Sequence, residues 1–238
     1  MTTVTNGHAF QLSLNDPANG LTSQLLDMAQ QSVGRLNNRG DRAAVGRLRG
    51  CGPGISFRAA AEAWERQHPA ELVYPFEENE RVGGAIWSIS PPEGPFEELP
   101  GANSHSEGGG VVKLRWESRA NDLPMHSHEH SDRCIIVLEG RGFYHVSDET
   151  IGGFTGRDVR TIAARERDVF VFRRGVVHTF STFDHPMVLL SCHLPFIPLS
   201  DPVQYELPQV KWVASERLHA LINQAIQLDG WVNLSATE

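Results

Sequence analysis

Residues 123 to 140 read LPMHSHEHSDRCIIVLEG, and this stretch decides the fold. Three histidines, His126, His128 and His130, occupy every second position, and an apolar run follows that ends at Gly140. On an extended strand, alternate side chains point to the same face, so His126 and His128 can enter one cavity. Neutral imidazole is the commonest protein ligand for transition metals. The stretch therefore predicts a strand that carries two ligands of a metal site.

Apolar and polar residues also alternate outside this stretch, with a period of two. In VVKLRWES, which begins at Val111, apolar residues at 112, 114 and 116 alternate with charged ones, as a half-buried strand requires. Short β-rich runs bounded by Gly, Asp, Arg or Pro recur as RCIIVL, GFYHV, DVFVF, VVHTF and MVLLSCHL. Several short strands with only turns between them predict a mainly β fold, an antiparallel sandwich or barrel.

The two ends of the chain have a helical period instead. Apolar residues at 25, 26, 29, 33 and 36 lie at helical spacing, and Gly40 provides a stop. The segment SFRAAAEAWERQHP offers Ser56 as an N-cap and Pro69 as a breaker, which predicts a second helix. Near the other end, SERLHALINQAIQLDG predicts a helix that begins after Ser215 and stops at Gly230.

These periods divide the chain into three parts. We expect residues 1–80 to be a helical extension that packs on the barrel, 81–200 to be the β-barrel, and 201–238 to be a tail with one helix. Exposed strand edges need protection. The helical ends are therefore expected to cover an open edge or mouth of the barrel, or to form a homodimer contact.

Composition excludes several classes of partner. The formal net charge is −8 and the 21 Lys and Arg residues are scattered, so the chain lacks the basic stripe that nucleic acid binding requires. No apolar run approaches the roughly 20 residues that span a bilayer, and the first residues lack the features of a signal peptide. Cys51, Cys134 and Cys192 are too widely spaced for a zinc or disulfide framework. These features predict a cytoplasmic protein whose partner is a small molecule.

A second histidine motif lies further along the chain. In RDVFVFRRGVVHTFST, His178 follows a turn at Gly175 and opens another apolar strand. Together with His126, His128 and the VLEG that ends at Gly140, this motif resembles the cupin superfamily. The resemblance covers roughly residues 110 to 195. It implies an antiparallel double-stranded β-helix, the cupin or jelly-roll barrel, with His126, His128 and His178 as ligands of one divalent transition metal.

The carboxylate ligand of the family is replaced in this chain. The family's glutamate falls on Asp132 or on Arg133, depending on the gap after the second histidine. One possibility is that Asp132 coordinates, which gives three histidines and one carboxylate. The other is a bare three-histidine site, as in some cupin dioxygenases, with Arg133 facing the cavity as a cation for an anionic substrate, because guanidinium matches a carboxylate at two points.

Other polar residues have less defined positions. His130 lies where the family places a turn, which favours the rim of the cavity over direct ligation. His145 and His193 fall on predicted strands whose inward face parity does not fix, and His145 is a candidate acid or base. A metal-free barrel with hydrogen-bonded histidines is the simplest alternative, but one ion would satisfy several buried imidazole nitrogens at once.

Three or four nitrogen and oxygen ligands on one side of a metal leave open positions for substrate and dioxygen. This favours a mononuclear non-haem Fe(II) oxidoreductase of the dioxygenase type acting on a small anion, with Arg133 and His145 as candidate catalytic groups; Zn, Mn or Ni are the alternative ions. A non-catalytic module that binds or senses a small molecule is also compatible with the sequence. So is a metal-dependent isomerase of a sugar or keto acid, because a fold alone fixes no function.

Overall fold

The computed structural model describes residues 8–13, 21–50, 58–59, 62, 71–73, 85–89, 108–120, 123–197, 202–212, 214 and 231–233. Its strands are β1 His8–Ser13, β2 Ala43–Gly50, β3 Glu71–Val73, β4 Ala85–Ile89, β5 Gly110–Trp116, β6 Asp132–Ser147, β7 Val159–Arg165, β8 Asp168–Phe172, β9 Val177–Ser181, β10 Met187–Leu194 and β11 Val232–Asn233. The long helix is α1, Leu21–Arg39, and two short 3-10 turns cover Ile151–Gly153 and Pro202–Gln204.

The strands form two sheets that share β6. The order of the first sheet is β1-β2-β8-β6-β10-β5-β4-β3, and in the second sheet β6 pairs with β7 and β9, while β11 pairs with β7. Every pairing is antiparallel except that of β1 with β2. This arrangement confirms the prediction of a mainly β, antiparallel jelly roll.

Strand β6 passes from one sheet to the other at a bulge. Its first half pairs with β10 so that Val137 lies opposite Leu189 and Glu139 opposite Val188, which leaves Leu138 as an extra residue. Gly140 follows with φ +79°. A bulge of one residue reverses which side chains face inward and bends the strand. The second half of β6 therefore has the opposite parity from the first.

The core between the two sheets is apolar and rich in aromatic rings. The first half of β6 contributes Ile135 and Val137, and the second half contributes Tyr144 and Val146, as the reversed parity requires. The rings of Tyr144, Phe170 and Phe180 pack with centroid distances of 4.8 to 5.5 Å, as expected for tilted and edge-to-face aromatic contacts. These aromatic contacts tie β6, β8 and β9 together in the core.

Helix α1 covers the outer face of the first sheet. Leu25, Ala29 and Leu36 are buried against outward-facing residues of β6 and β10, including Cys134 and Cys192. Both cysteines are free, and burial raises the pKa of Cys134 to about 12. Among the described residues, no helix has the length and apolar character needed to cross a membrane.

The predicted helices have different outcomes. The helix before Gly40 is confirmed as α1. Of the helix predicted between Ser56 and Pro69, residues 58, 59 and 62 are helical and the others lie outside the described residues, as does the C-terminal helix between Ser215 and Gly230. The N-terminal part also supplies strands to the sheet, since β2 pairs with β8. The three-part division of the chain stays a prediction.

Candidate metal centre

His126 and His178, two of the three histidines that the family resemblance implies as ligands, are held together by backbone hydrogen bonds. The amide of His126 donates to the carbonyl of His178 at 3.0 Å, and the amide of His178 donates to the carbonyl of His126 at 2.9 Å. This isolated antiparallel bridge joins the segment before β6 to the start of β9. The two imidazole rings are 4.6 Å apart between centroids. The two sequence motifs therefore meet at one point of the fold.

The third imidazole completes a compact cluster. The ring of His128 lies 5.0 Å from that of His126 and 5.1 Å from that of His178, between centroids. Within the described part of the chain, these residues form the one group of three or more potential ligands whose donor atoms all lie within 4.8 Å of one another. The structure thus brings together the three histidines that the resemblance implied.

Each ring has the tautomer that metal binding needs. The Nδ1 atoms lie 3.0 Å from the Pro124 carbonyl for His126, 2.7 Å from the Gln204 carbonyl for His128 and 2.9 Å from the Val176 carbonyl for His178. Because a carbonyl oxygen only accepts hydrogen bonds, each Nδ1 carries the proton. The Nε2 lone pairs are therefore left available to an ion, as in metal sites whose ligands are oriented by outer hydrogen bonds.

Burial keeps these imidazoles neutral. The exposed fractions of His126, His128 and His178 are 3%, 7% and 2%. Burial lowers the pKa of His126 to about 4, and it lowers the pKa of His128 and that of His178 well below 6.5. The nearby Arg133 cation lowers all three further. The donor set of three neutral imidazoles suits a divalent transition metal.

A narrow cavity opens beside the three histidines. One wall is apolar and consists of Leu114, Trp116, Ile135 and Phe180. The polar wall consists of Arg133, Ser191, His193, Gln204 and Tyr205. An apolar wall with a few convergent polar groups is typical of a small-molecule site.

The structure places Arg133 in the polar wall. It faces inward at the start of β6 and is 1% exposed. Its Nη1 donates to the Ser131 hydroxyl and, at 3.2 Å, to the Asp132 carbonyl, whereas its buried Nη2 has no hydrogen-bond partner among the described residues. Burial lowers the pKa of Arg133 to about 9, so the guanidinium stays charged at neutral pH. A buried cation with an unused donor is suited to bind an anion.

Asp132 is the carboxylate that the four-ligand alternative would include. Its carboxylate lies outside the histidine cluster and accepts a hydrogen bond of 2.7 Å from the Arg174 amide. The Arg174 guanidinium lies 3.6 Å from the same carboxylate. Neighbouring residues of a strand face opposite sides, so Asp132 turns outward where Arg133 turns inward. The described residues thus assemble a three-histidine group without Asp132.

His145, the candidate acid or base, is likewise absent from the cavity wall that the described residues form. The bulge at Leu138 reverses the parity of β6, so Tyr144 faces the core and His145 faces the outside of the second sheet. There its ring nitrogens bond to the hydroxyls of Thr161 and Ser181 at 2.7 Å each. His145 is therefore a buried structural histidine of the second sheet. His130, at a turn, is exposed and outside the cluster.

Sequence reasoning missed the residues that close the cavity. The ring of Tyr205 lies 5.5 Å from that of His126 and 5.3 Å from that of His128, between centroids. Gln204 is buried and its Nε2 lies 3.5 Å from Nδ1 of His193. Both belong to the irregular, proline-rich segment after β10. Their sequence has no period that would place them at the cavity.

Comparison with known families gives one match. Residues 114–193 match the family model of the cupin domain. The match includes all three clustered histidines and ends at His193. Among curated proteins, none matches the chain.

Solved structures with a similar fold include three proteins of different description. A sugar phosphate isomerase of the cupin superfamily from Silicibacter pomeroyi is 23% identical, with a TM-score of 0.36 over 54% of this chain and 73% of that one. The capsular polysaccharide assembling protein CapF from Staphylococcus aureus is 10% identical, with a TM-score of 0.41 over 60% of this chain. The matched part is 35% of CapF, so this chain spans about a third of that protein.

The third is the oxalate decarboxylase of Lactobacillus farciminis in complex with formate. It is 15% identical, with a TM-score of 0.38 over 54% of this chain and 32% of that one.

Proposed function

Residues 114–193 of this chain are a cupin domain, and from this premise we propose that the protein is a mononuclear non-haem metal enzyme, an Fe(II)-dependent oxidoreductase of the dioxygenase type that acts on a small anion. The observation that carries the proposal is the convergence of three buried, neutral imidazoles with free Nε2 atoms. His126, His128 and His178 would hold the ion. A ferrous ion held there would supply the chemistry of dioxygen activation next to a bound substrate.

Arg133 is the residue proposed to hold the substrate. Its unused Nη2 donor is buried in the same cavity as the three histidines. A carboxylate there would pair with the guanidinium, which otherwise remains a buried charge without a counter-ion in the cavity wall. The hydroxyl of Ser191 is also buried in this wall and has no hydrogen-bond partner among the described residues, so it can donate to the same anion.

The apolar wall has a separate role. Leu114, Ile135 and Phe180 leave little polar surface for water beside the histidines. Exclusion of water strengthens the attraction between Arg133 and an anion and protects reactive species from side reactions. The space beside the histidines is narrow, so the substrate is expected to be small.

One observation favours a second candidate function. His193 lies in the cavity wall, where it is paired with Arg133 across β10 and β6. Burial lowers the pKa of His193 well below 6.5, and the charge of Arg133 lowers this pKa further. A neutral imidazole beside a bound anion is a group that can move a proton. This arrangement is compatible with metal-dependent isomerisation of a keto acid.

Purification without oxygen, followed by elemental analysis and oxygen-uptake measurements, tests the proposal. The substrates would be a panel of small carboxylates, including thiol, diketone and phenolic acids, and the His178→Ala variant would be the matched control. We expect about one iron per chain and oxygen uptake with at least one carboxylate, both absent in the variant. Proton exchange or isomerisation without oxygen uptake would instead support the second function. A wild-type chain that binds none of Fe(II), Zn, Mn or Ni would contradict both.

A further inference from the structure

We propose that residues 202–206, here called the docking segment, position the metal site, so that docking of this segment and metal binding strengthen each other. The proposal rests on the metal site of the proposed function. It assigns a positioning role to Gln204 and a cavity-forming role to Gln204 and Tyr205, in a part of the chain beyond the matched cupin domain.

The first observation is the source of the hydrogen bond that orients His128. His126 and His178 each bond to a carbonyl two residues earlier in the chain, so the local backbone sets these two rings. The Nδ1 atom of His128 instead donates to the carbonyl of Gln204, at 2.7 Å. The orientation and tautomer of one metal ligand of the three therefore depend on a segment that is remote in sequence.

The second observation is the attachment of the docking segment. The Ser127 amide donates to the Glu206 carbonyl and the Glu206 amide donates to the Ser127 carbonyl, at 3.0 Å each. Ser127 lies between His126 and His128 in the chain. The segment is thus fixed to the backbone that carries two of the three ligands, and release of this bridge would disturb both.

The third observation concerns the side chains that the segment carries. Gln204, at the end of the 3-10 turn Pro202–Gln204, and Tyr205, which follows it, both line the cavity. Tyr205 packs against the rings of His126 and His128. Undocking would remove this wall, admit water to the imidazoles and enlarge the space for substrate. The segment that orients the metal ligand therefore also shapes the substrate cavity.

The coupling has a thermodynamic consequence. If release of the segment weakens metal binding by some factor, bound metal must oppose release by the same factor, because binding free energies are reciprocal. Loss of an outer hydrogen-bond partner of a metal ligand typically lowers metal affinity about 10- to 100-fold. The same factor is expected in two independent measurements.

The first measurement is the Zn²⁺ affinity of full-length variants, by competition with a chromophoric chelator. Glu206→Pro removes the amide that donates to Ser127, and we expect its affinity to fall about 10- to 100-fold. Glu206→Ala loses the same side chain but keeps the amide, and Leu207→Pro places a proline at an exposed position outside the bridge. Both controls are expected to bind within about twofold of wild type. Equal affinities of Glu206→Pro and Glu206→Ala would overturn the proposal.

The second measurement uses the unaltered chain, so it stands even if Glu206→Pro does not fold. Zn²⁺ is expected to slow hydrogen exchange at the Glu206 amide by about the same 10- to 100-fold factor. The Arg167 amide, which donates to Val137 in the turn before β8, is the control and is expected to change little. Unchanged exchange at Glu206 with Zn²⁺ bound would overturn the coupling and leave the metal site intact. A chain that binds no Zn²⁺, Fe(II), Mn²⁺ or Ni²⁺ would overturn the metal site itself.

Discussion

The backbones of His126 and His178 pair through two hydrogen bonds of 3.0 and 2.9 Å, although the two residues belong to separate sequence motifs. This pairing places two candidate ligands side by side by means of the fold. The rings are further fixed by bonds to Pro124 and Val176. An ion would therefore find a site that is largely formed beforehand, and the barrel is expected to fold with or without metal.

Replacement of one ligand tests this view. We expect His178→Ala to lower metal content at least tenfold, while the backbone pairing with His126 and the apolar core keep the barrel folded. Elemental analysis measures the ion, and far-UV circular dichroism checks the fold. His145→Gln is the matched control, because His145 is an equally buried histidine outside the cluster. Wild-type metal content in His178→Ala would remove that residue from the ligand set.

Arg133 is predicted to matter for the substrate and not for the metal. Arg133→Met removes the buried guanidinium, and we expect the variant to keep full metal content. It should bind small carboxylates at least about tenfold more weakly, because hydrogen bonds to charged groups contribute about 1.5–3 kcal/mol. Titration calorimetry of the Zn²⁺-loaded protein measures this binding. Arg133→Lys keeps the charge but loses the two-point geometry, so an intermediate affinity is expected. Carboxylate binding of wild-type strength in Arg133→Met would exclude the proposed role.

Much of the candidate site could be predicted because its signals are local. His126 and His128 share one face of an extended segment, and His178 follows a turn whose Gly175 has φ +72°. These patterns, together with the strand periodicity, suffice for the cupin resemblance and for the antiparallel jelly roll. The apolar stripe that includes Leu25 and Leu36 likewise predicted α1, since one face of that helix is buried.

The remaining features of the fold and of the site depend on contacts that no short stretch of sequence indicates. A single bulge at Leu138 decides whether His145 faces the cavity, and sequence parity alone does not locate such a bulge. Strand β2 was missed because Ala43, Ala44 and Val45 are all buried, so the segment lacks the alternation of a half-exposed strand. Gln204 reaches the cavity through long-range contacts that its proline-rich surroundings do not encode.

The outward position of His145 predicts a pH dependence of stability. Burial lowers the pKa of His145 to about 3, whereas in the unfolded chain it returns to its ordinary value near 6.5. Between these values the unfolded state binds a proton that the folded state does not, so stability falls as the pH falls below about 6.5 and is unaffected above it. One such group contributes a slope of at most about 1.4 kcal/mol per pH unit.

We therefore expect His145→Gln to reduce the slope of unfolding free energy against pH between about 4 and 6 by up to about that amount. Urea unfolding of the metal-free protein, with a chelator present, measures the slope in both chains. Other buried histidines affect both chains equally, so the difference isolates His145. Parallel curves for the variant and the wild type would show that His145 titrates normally in the folded state.

Gly140 is predicted to be essential for the passage of β6 between the sheets. Its φ of +79° is strained for any residue with a side chain, and a methyl group at this position would lie 2.0 Å from the carbonyl oxygen of Pro186. Gly140→Ala is therefore expected to destabilise the fold by more than about 3 kcal/mol, or to prevent folding, because backbone strain and overpacking add.

Gly34→Ala is the matched control, since Gly34 lies inside α1 and a methyl group there meets no atom within 4 Å. That substitution is expected to stabilise the protein by up to about 1 kcal/mol, the difference in helix propensity. Urea unfolding of both variants at one pH measures the contrast. A Gly140→Ala protein that unfolds at the wild-type midpoint would contradict the bulge geometry. The inward position of Tyr144 and the outward position of His145 depend on that geometry.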